Sequence, residues 1–327
     1  MIKGLVLFSG GLDSVIAVHL LKSQGISLKA LHFVLPFYSG FGFSYKNIKT
    51  YAQALEIPLR IEEEGQEFLS MVKNPKFGFG KNANPCIDCR ILRLEKAFKI
   101  MVEEGASFIA TGEVVGQRPM SQRMDCLHKI EKSANLKGIL VRPLSARLFS
   151  PTKPEIEGLI DREKLLDISG KSRTRQLEYA KKHNLIHSTP AGGCILTNIH
   201  TANRIHEMLS KSKTVSLSDF KLMAYGRHFR INGYKLVVSR DESENNILEK
   251  FCNESICFFQ ISDIPGPFGI TDSIIDNDTK KLAASIVARY SKVRNENSVN
   301  VKIQCEGKEE IITVKPADSE FCDKSRI

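Results

Sequence analysis

A glycine-rich turn with hydroxyl and carboxyl side chains follows the first apolar segment of the chain. It lies between the run IKGLVL and a helix-like segment, and its residues are Ser9, Gly10, Gly11, Leu12, Asp13 and Ser14. Glycines let the backbone approach a ligand closely, and the free N–H groups at a helix N-terminus attract anions. The turn therefore predicts a phosphate site. The alternative is a tight strand-to-helix turn in which Asp13 or Ser14 caps the helix.

Three cysteines form a second group that could do chemistry. Cys86 and Cys89 form a CxxC at the start of an amphipathic helix, and Cys194 follows two glycines in TPAGGCILTN. A helix N-terminus lowers the pKa of a thiol, so we expect thiolate character for the pair. A zinc site usually has four ligands, and His187 would have to complete this one. Three unrelated thiols are the plain alternative.

Further polar candidates follow two predicted strands. His32 ends the second strand, and Gly112 and Glu113 follow the fourth. Gln117, Arg118 and Ser121 come next and could face phosphates, RNA or solvent. Since the carboxyl ends of parallel strands meet at one edge of a sheet, we expect these residues to lie near the glycine turn.

The elements that must position these residues alternate between strand and helix over the first 200 residues. This alternation predicts an α/β domain with a doubly wound parallel sheet. After about residue 200 the segments become shorter, and FRINGYKLVVSR reads as a hairpin with its turn at Asn232-Gly233. We therefore predict a first domain over 1–212 and a smaller α+β domain over 213–327.

Composition limits the class of protein. The 327 residues carry 47 Lys and Arg against 37 Asp and Glu, a formal charge of +10, which fits either a polyanionic partner or a basic solvated surface. We find no signal segment and no apolar run of membrane-spanning length, so we expect a cytoplasmic protein with no membrane partner. The other five cysteines are expected to be unpaired thiols: Cys126, Cys252, Cys257, Cys305 and Cys322.

The glycine turn resembles the PP-loop of the ATP pyrophosphatase superfamily, and it lacks the lysine of a Walker A loop. The resemblance implies that ATP is split into AMP and pyrophosphate, with Mg²⁺ near Asp13. It implies nucleotide contacts at Ser9, Gly10, Gly11, Asp13, Ser14, His32, Gly112 and Glu113. The GHxxDD-type run that is usual in the superfamily is missing after the fourth strand.

The segments NPCIDC, ATGEVVGQRPMSQ, VRPLSA and PAGGCILT together resemble the tRNA thiouridylase-like group of PP-loop proteins. The resemblance implies that Cys86, Cys89 and Cys194 hold a [4Fe–4S] cluster, which we favour because it gives the third cysteine a role. In the other version Cys194 carries a persulfide, and Cys89 or Cys86 is the resolving thiol.

The C-terminal segment KLMAYGRHFRINGYKLVVSRDESENN resembles the NFACT-R type of RNA-binding domain. The implied RNA contacts are Arg227, His228, Arg230, Arg240, Arg289, Lys292 and Arg294. tRNA is then the partner. The sulfur donor is external (a cysteine desulfurase, sulfide or a carrier protein), and a homodimer is left open.

These resemblances predict an ATP-dependent tRNA sulfurtransferase that adenylates a uridine carbonyl and replaces its oxygen with sulfur, forming thiouridine. Two alternatives remain. A PP-loop amidotransferase or ligase that uses ammonia would not need the three cysteines, and a non-catalytic RNA-binding protein would not need an intact glycine turn.

Overall fold

A computed structural model of the protein describes residues 3–39, 45–189, 193–211 and 215–327. Contacts divide the chain into two units, Met1–Cys194 and Ile195–Ile327. The helix Ile199–Lys211 is held in the second unit by an ion pair between Glu207 and Arg230, whereas the predicted boundary at 212/213 assigns it to the first domain. That boundary stays a prediction.

Five parallel strands form the sheet of the first unit. They are β1 (Gly4–Leu7), β2 (Leu28–Val34), β3 (Leu59–Glu63), β4 (Phe108–Thr111) and β5 (Leu140–Val141). Their order is β3-β2-β1-β4-β5, and every pairing is parallel. The chain builds one half of the sheet outward from β1 and then returns to build the other half beside it.

Within the described residues of the first unit, seven α-helices accompany this sheet. They are α1 (Leu12–Lys22), α2 (Lys46–Ala54), α3 (Gln66–Lys73), α4 (Cys86–Glu103), α5 (Met124–Ser133), α6 (Lys153–Ile156) and α7 (Thr174–Lys182). Neighbouring residues of β1 point to opposite faces: Val6 packs in a core with α1 and α2, and Leu5 packs in a core with α4 and α5. Helices on both faces confirm the doubly wound α/β fold.

The strand order reverses between β1 and β4, so the loops that follow these two strands separate at the carboxyl edge of the sheet. In open α/β sheets such a switch point is where ligands bind. The glycine turn follows β1 and Gly112 follows β4, so the fold places both at this crevice.

The predicted fifth strand is shorter than its apolar run suggests. β5 stops at Val141, because Pro143 has no N–H to donate to a neighbouring strand. The predicted helix over KPEIEGLIDR is also short: α6 stops at Ile156, and Gly158 has a positive φ of +73°.

Six antiparallel strands form the sheet of the second unit. They are β6 (Arg227–Ile231), β7 (Tyr234–Val238), β8 (Phe258–Ile261), β9 (Phe268–Thr271), β10 (Val299–Cys305) and β11 (Lys308–Val314), in the order β11-β10-β8-β9-β7-β6. Its helices are α8 (Ile199–Lys211), α9 (Leu217–Leu222), α10 (Glu242–Leu248), α11 (Asn277–Arg289) and α12 (Ser319–Ser325). The predicted hairpin is β6–β7, so the α+β prediction is confirmed. None of the helices in the described ranges is long and apolar enough to cross a bilayer.

Two cysteines of the second unit are bonded, which corrects the expectation of unpaired thiols. Cys257 and Cys305 form a disulfide, with their Cα atoms 4.3 Å apart. β8 and β10 are antiparallel, and Phe258 lies opposite Gln304. Cys257, which precedes Phe258, therefore faces Cys305, which follows Gln304. The two cysteines are 48 positions apart, and nothing in the sequence indicated that they pair.

Candidate functional site

The glycine turn is held by its own side chains. Ser14 Oγ donates to Gly11 O at 2.8 Å and lies 3.2 Å from Ser9 Oγ, which accepts from Gly11 N at 3.3 Å. Gly11 occupies the N-cap position of α1, where no side chain caps the helix. Neither Asp13 nor Ser14 is the N-cap, so the first-turn N–H groups of α1 are left for an anion.

Two glycines bring the elements around this turn into contact. Gly10 has a φ of +72°, and a Cβ there would lie 2.6 Å from the ring of Tyr51. A Cβ on Gly112 would lie 2.6 Å from the carbonyl carbon of Asp13 and 2.7 Å from Ser14 N. Gly112 therefore lets the end of β4 pack directly on the first turn of α1.

Asp13 presents one oxygen that lacks a protein partner. Its Oδ2 accepts a 2.7 Å hydrogen bond from Gln117 Nε2, whereas its Oδ1 is buried with no hydrogen-bond partner in the part of the chain that the structure describes. A buried, unpartnered carboxylate oxygen is unfavourable in a protein on its own. It is the kind of ligand that Mg²⁺ takes, so the residues present fit a metal at this position.

A cavity of about 490 Å³ opens above the turn. Of the predicted nucleotide contacts, all except Gly10 line it: Ser9, Gly11, Asp13, Ser14, His32, Gly112 and Glu113. Gly10 shapes the loop through its backbone. The lining also includes Arg90, Arg93, Gln117, Arg118, Arg173, Ser188, Thr189 and Gly193.

His32 borders the cavity as a neutral ring. Burial lowers the pKa of His32 below its ordinary value, and the bond from its Nδ1 to Phe8 O (2.8 Å) opposes this only in part. Because a carbonyl oxygen only accepts, Nδ1 carries the proton and Nε2 is the acceptor.

Glu113 is fully engaged by protein groups. One oxygen is ion-paired with Arg90, and the other accepts from Arg142 Nε at 3.0 Å. Arg142 continues to Glu131 at 2.7 Å. Glu113 thus neutralises two buried arginines, and its predicted contact with the nucleotide stays a prediction.

The helix α4 forms part of the cavity wall through Arg90, Arg93 and Leu94, and its CxxC lies just before these residues, outside the lining. Cys86 is its first residue, and Arg90 and Arg93 lie one turn after Cys86 and Cys89. Burial raises the pKa of the Cys89 thiol to about 11, although the Arg93 charge opposes this. The expectation that the helix N-terminus makes Cys89 a thiolate is therefore wrong, because burial outweighs it.

Two arginines hold positive charge beside these thiols. Burial lowers the pKa of Arg90 to about 10, and the sulfurs of Cys86 and Cys89 oppose that shift. Burial also disfavours the charge of Arg93. Cys89 and a bidentate pair with the buried Glu64 (2.6 and 2.9 Å) nevertheless raise its pKa above its ordinary value.

The segment before Cys194 is attached to the glycine turn. Ser188 N donates to Gly10 O at 2.8 Å, and Gly193 lines the cavity. Cys194 lies close enough to Cys89 and Arg93 to influence the pKa of both. Residues 190–192, which belong to the predicted PAGGC motif, lie outside the described residues.

A metal cluster at the three cysteines does not fit this arrangement. Thiols are the right donors for iron, yet no group of three or more His, Cys, Asp or Glu side chains within the described ranges is placed to hold a metal ion. His187 also belongs to no such group in the described ranges; its Nδ1 contacts Ser188 O at 3.0 Å.

The residues predicted to face phosphates or RNA after β4 separate into three roles. Gln117 holds Asp13, Arg118 is exposed and lines the cavity, and Ser121 is buried. Ser121 is therefore not a contact for phosphate or RNA.

Most of the basic residues predicted to contact RNA in the second unit are tied to protein groups. His228 is fully buried and donates from Nε2 to Tyr225 O at 2.7 Å, so its prediction as a surface contact is wrong. Arg227, Arg230, Arg240 and Arg289 bind Ser239 O, Glu207, Glu244 and Ser319, respectively. Lys292 and Arg294 are exposed.

The sequence carried a signal for two of the residues that it did not single out. Arg90 and Arg93 follow Cys86 and Cys89 by four positions, the spacing that puts side chains on one helix face. Gln176, which contacts Gln117 at 3.3 Å from α7, carried no such signal.

The two units match two families. Residues 3–134 match the family described as tRNA methyl transferase HUP domain, and residues 226–325 match the NFACT protein RNA binding domain. A "Probable tRNA sulfurtransferase" from Lysinibacillus sphaericus (strain C3-41) is 29% identical over 169 residues, which are 47% of this chain and 36% of that protein. The chain thus matches about a third of that relative's length.

The solved structures that match this chain do so at low sequence identity and low TM-score. A 4-thiouridine synthetase–RNA complex with bound ATP has 22% identity over 68% of this chain and 52% of its own, with a TM-score of 0.41. The U34-tRNA thiolase from Methanococcus maripaludis with its [4Fe–4S] cluster has 15% identity over 68% of this chain and 69% of its own, with a TM-score of 0.31. The matches of residues 3–134 to the tRNA methyl transferase HUP domain and of residues 226–325 to the NFACT protein RNA binding domain confirm both resemblances that the sequence shows.

Proposed function

We propose that the protein is an ATP-dependent tRNA sulfurtransferase that forms thiouridine. The observation that carries this proposal is one shared cavity. Its floor is the glycine turn, one wall is the helix that bears Cys86 and Cys89, and another is the segment that leads to Cys194. This arrangement supports ATP splitting at the cavity, with the cysteines that would handle sulfur beside its lining.

The first half of the reaction activates the target carbon. A uridine carbonyl oxygen attacks the α-phosphorus of ATP, the bond from that phosphorus to the bridging oxygen breaks, and pyrophosphate leaves. The uncapped N-terminus of α1 and the Ser9 and Ser14 hydroxyls stabilise charge on the phosphates. Asp13 Oδ1 would hold Mg²⁺, which supplies neutralisation of the pyrophosphate charge when bound.

The second half delivers sulfur through a persulfide. The outer sulfur on Cys194 attacks the adenylated carbon, the carbon–oxygen bond breaks and AMP leaves. Cys89 then attacks the Cys194 sulfur, which releases the thiolated base and leaves a Cys89–Cys194 disulfide. An external thiol reductant resets the pair. An external persulfide donor then transfers its outer sulfur to Cys194 and leaves as a thiol.

The raised pKa of Cys89 suits this order of events. A thiol with a pKa of about 11 is protonated at neutral pH, and the protonated form is a poor nucleophile. Cys89 therefore does not discharge the persulfide before the base is bound. The positive charge of Arg93 offers stabilisation to the thiolate at the moment when it must form.

The [4Fe–4S] cluster at Cys86, Cys89 and Cys194 stays a prediction outside this scheme, because the described residues do not assemble its ligands. Iron analysis of protein purified without oxygen decides between the two carriers. Stoichiometric iron would replace the persulfide half of the scheme.

tRNA is the proposed partner because the second unit matches an RNA-binding family. On that unit we assign Lys292 and Arg294, which are exposed, to the RNA backbone. At the cavity, the exposed Arg118 is placed to meet the nucleotides that flank the target uridine.

The test separates ATP splitting from sulfur transfer. Full-length protein is incubated with ATP, a persulfide donor, a thiol reductant and tRNA from a strain that lacks the corresponding gene; pyrophosphate and thionucleosides are measured. We expect Cys194→Ala to release pyrophosphate without forming thionucleosides, and Cys126→Ala, at an unbonded cysteine outside the site, to do both.

Other outcomes would overturn the proposal. A tRNA product that forms in all three variants Cys86→Ala, Cys89→Ala and Cys194→Ala would indicate an ammonia-using ligase. Retained tRNA binding with no ATP turnover would indicate an RNA-binding protein.

A further inference from the structure

Two carboxamides stand in line behind Asp13. Gln117 Nε2 donates to Asp13 Oδ2 at 2.7 Å, and Gln176 Nε2 donates to Gln117 Oε1 at 3.3 Å. Gln176 is fully buried in the first turn of α7. The three side chains join α1, the loop after β4 and α7, which are far apart along the chain.

The charge of Asp13 sets the orientation of the two amide groups. An ionised carboxylate only accepts hydrogen bonds, so Gln117 must turn its NH₂ group toward Asp13. The carbonyl oxygen of Gln117 then points away from Asp13, and only a hydrogen-bond donor can approach it without repulsion. The NH₂ group of Gln176 is that donor. If either amide were reversed, two oxygens or two NH₂ groups would face each other.

The consequence falls on the other oxygen of Asp13. With Oδ2 held by Gln117, the carboxylate cannot rotate, and Oδ1 is the oxygen left without a protein partner in the described ranges. A freely rotating carboxylate would instead offer either oxygen, or chelate with both. Mg²⁺ demands near-ideal octahedral geometry, so the orientation of a single ligand oxygen affects its binding.

We propose that Gln117 and Gln176 are positioning residues that fix the Asp13 carboxylate so that Oδ1 alone faces the divalent cation accompanying ATP. This inference rests on the proposed use of ATP at the same site. Gln176 acts through Gln117 and touches neither nucleotide nor metal. It is a fixed support on a helix that otherwise packs against α1.

The experiment measures binding instead of turnover. Full-length protein is titrated with a fluorescent ATP analogue at increasing Mg²⁺, without tRNA, and Mn²⁺ binding in the presence of ATP is followed by EPR. The variants are Gln176→Met, Gln117→Met and Gln176→Glu. Leu177→Ala, at an exposed neighbour on α7, is the matched control, and Asp13→Asn sets the largest effect.

We expect Gln176→Met to raise the Mg²⁺ concentration at half-saturation roughly tenfold, the factor expected for a lost hydrogen bond in a charged network. Gln176→Glu should have a larger effect at nearly the same volume. Its carboxylate would draw the NH₂ group of Gln117 toward itself and turn the Gln117 carbonyl against Asp13. Binding of the nucleotide without metal should change less than twofold in both variants.

The outcomes separate the two proposals. If Gln176→Met and Gln176→Glu lower the melting temperature but keep the wild-type Mg²⁺ dependence and EPR spectrum, Gln176 is only a packing residue and the inference is overturned. If the wild-type protein binds the nucleotide with no metal dependence, the inference fails while ATP use stands. If it binds no nucleotide at all, the proposed function fails with it.

Discussion

Two parts of the first unit are built differently: the glycine turn at the cavity, which is the phosphate end of the site, and the three cysteines beside the cavity lining, which are its sulfur end. At the phosphate end, residues 9–14 close on themselves through the hydroxyls of Ser9 and Ser14, and the helix N-terminus stays open to a ligand. At the sulfur end, Cys86 and Cys89 come from one segment and Cys194 from another, and the three do not form a metal-holding group within the described residues.

This difference follows from how each end is encoded. The phosphate end needs only six consecutive residues and the packing of Gly112, so it is formed before any ligand arrives. At the sulfur end, burial keeps Cys89 protonated, although the charges of Arg93 and Arg90 favour its thiolate. The phosphate end is thus preorganised for binding, whereas in our proposal the sulfur end is activated only when it is loaded with sulfur.

The largest expected effect comes from a variant that disables the phosphate end and leaves the sulfur end unchanged. Asp13→Asn removes the charge of the only carboxylate that we assign to the metal, so we expect pyrophosphate release to fall roughly a hundredfold, about 3 kcal/mol of transition-state stabilisation. Alkylation of Cys86 and Cys89, followed by mass spectrometry, should not change.

The control for this prediction is Asp125→Asn, whose carboxylate is exposed and paired only with Arg123 at 3.1 Å. It should keep full pyrophosphate release. A change in cysteine alkylation in Asp13→Asn would show that the two ends are coupled, contrary to the comparison.

The sequence predicted the phosphate end because its determinants are local. Ser9, Asp13 and Ser14 lie within six consecutive residues, and their spacing alone determines which of their groups can form hydrogen bonds with one another. The sheet was predicted for a similar reason, since alternating apolar segments report the doubly wound fold directly. Gly112 was assigned to nucleotide contact, but its packing on Asp13 depends on where β4 ends.

The remaining features depend on tertiary structure that no local pattern reports. The pKa of Cys89 is set by burial, which reverses the expectation from its place at a helix N-terminus. His228 belongs to a basic run, yet its side chain is fully buried within the second unit. Gln176 gains its partner only because α7 packs on α1, and the Cys257–Cys305 bond requires the register of β8 and β10.

The second prediction tests whether the phosphate end is held by close packing. Gly112→Ala would place a methyl group 2.6 Å from the Asp13 carbonyl carbon, so we expect the free energy of unfolding to fall by about 1–3 kcal/mol. Urea denaturation measures this, and ATP binding should weaken in parallel.

Gly25→Ala is the comparison for Gly112→Ala. Gly25 has a φ of +77° and open space around a Cβ, so it tests backbone strain without overpacking. We expect a cost near 1 kcal/mol and unchanged ATP binding. If both variants behave alike, β4 is not packed on α1 as described.

The third prediction concerns the sulfur end. With a pKa of about 11, Cys89 is ionised in only about one molecule in a thousand at pH 8, so iodoacetamide should modify it roughly a hundredfold more slowly than in unfolded protein. Arg93→Met removes the charge that opposes this shift, so the alkylation profile should move to still higher pH.

Arg147→Met, at a half-exposed arginine paired with Asp167, is the control and should leave the Cys89 profile unchanged. Rapid alkylation of Cys89 at pH 7 in the wild-type protein would contradict the description of a protonated thiol. It would also remove our reason why a persulfide on Cys194 survives until the base is bound.

The smallest expected effect is a pH dependence at the far end of α1. His19 Nδ1 contacts Tyr179 OH at 3.0 Å, and the His19 ring lies 4.7 Å from the ring of His183, tilted by 47°. Burial, and then the neighbouring His183, lower the pKa of His19 below 6.5. The folded state thus binds protons less well than the unfolded chain, so this contribution to stability is complete above about pH 6.5 and is lost as pH falls toward the lowered pKa.

We expect the melting temperature of the first unit to fall between pH 7.5 and 5.5, and His183→Gln to reduce that fall by about 1 °C. Since His183 no longer adds charge beside His19, protonation of the variant costs less in the folded state. His200→Gln, at an exposed histidine of the second unit, should not alter the fall. Because α1 also bears the glycine turn, ATP binding should weaken over the same pH range while Cys89 stays protonated throughout. A pH response at Cys89 that follows the one at α1 would mean that the phosphate end and the sulfur end do not act independently.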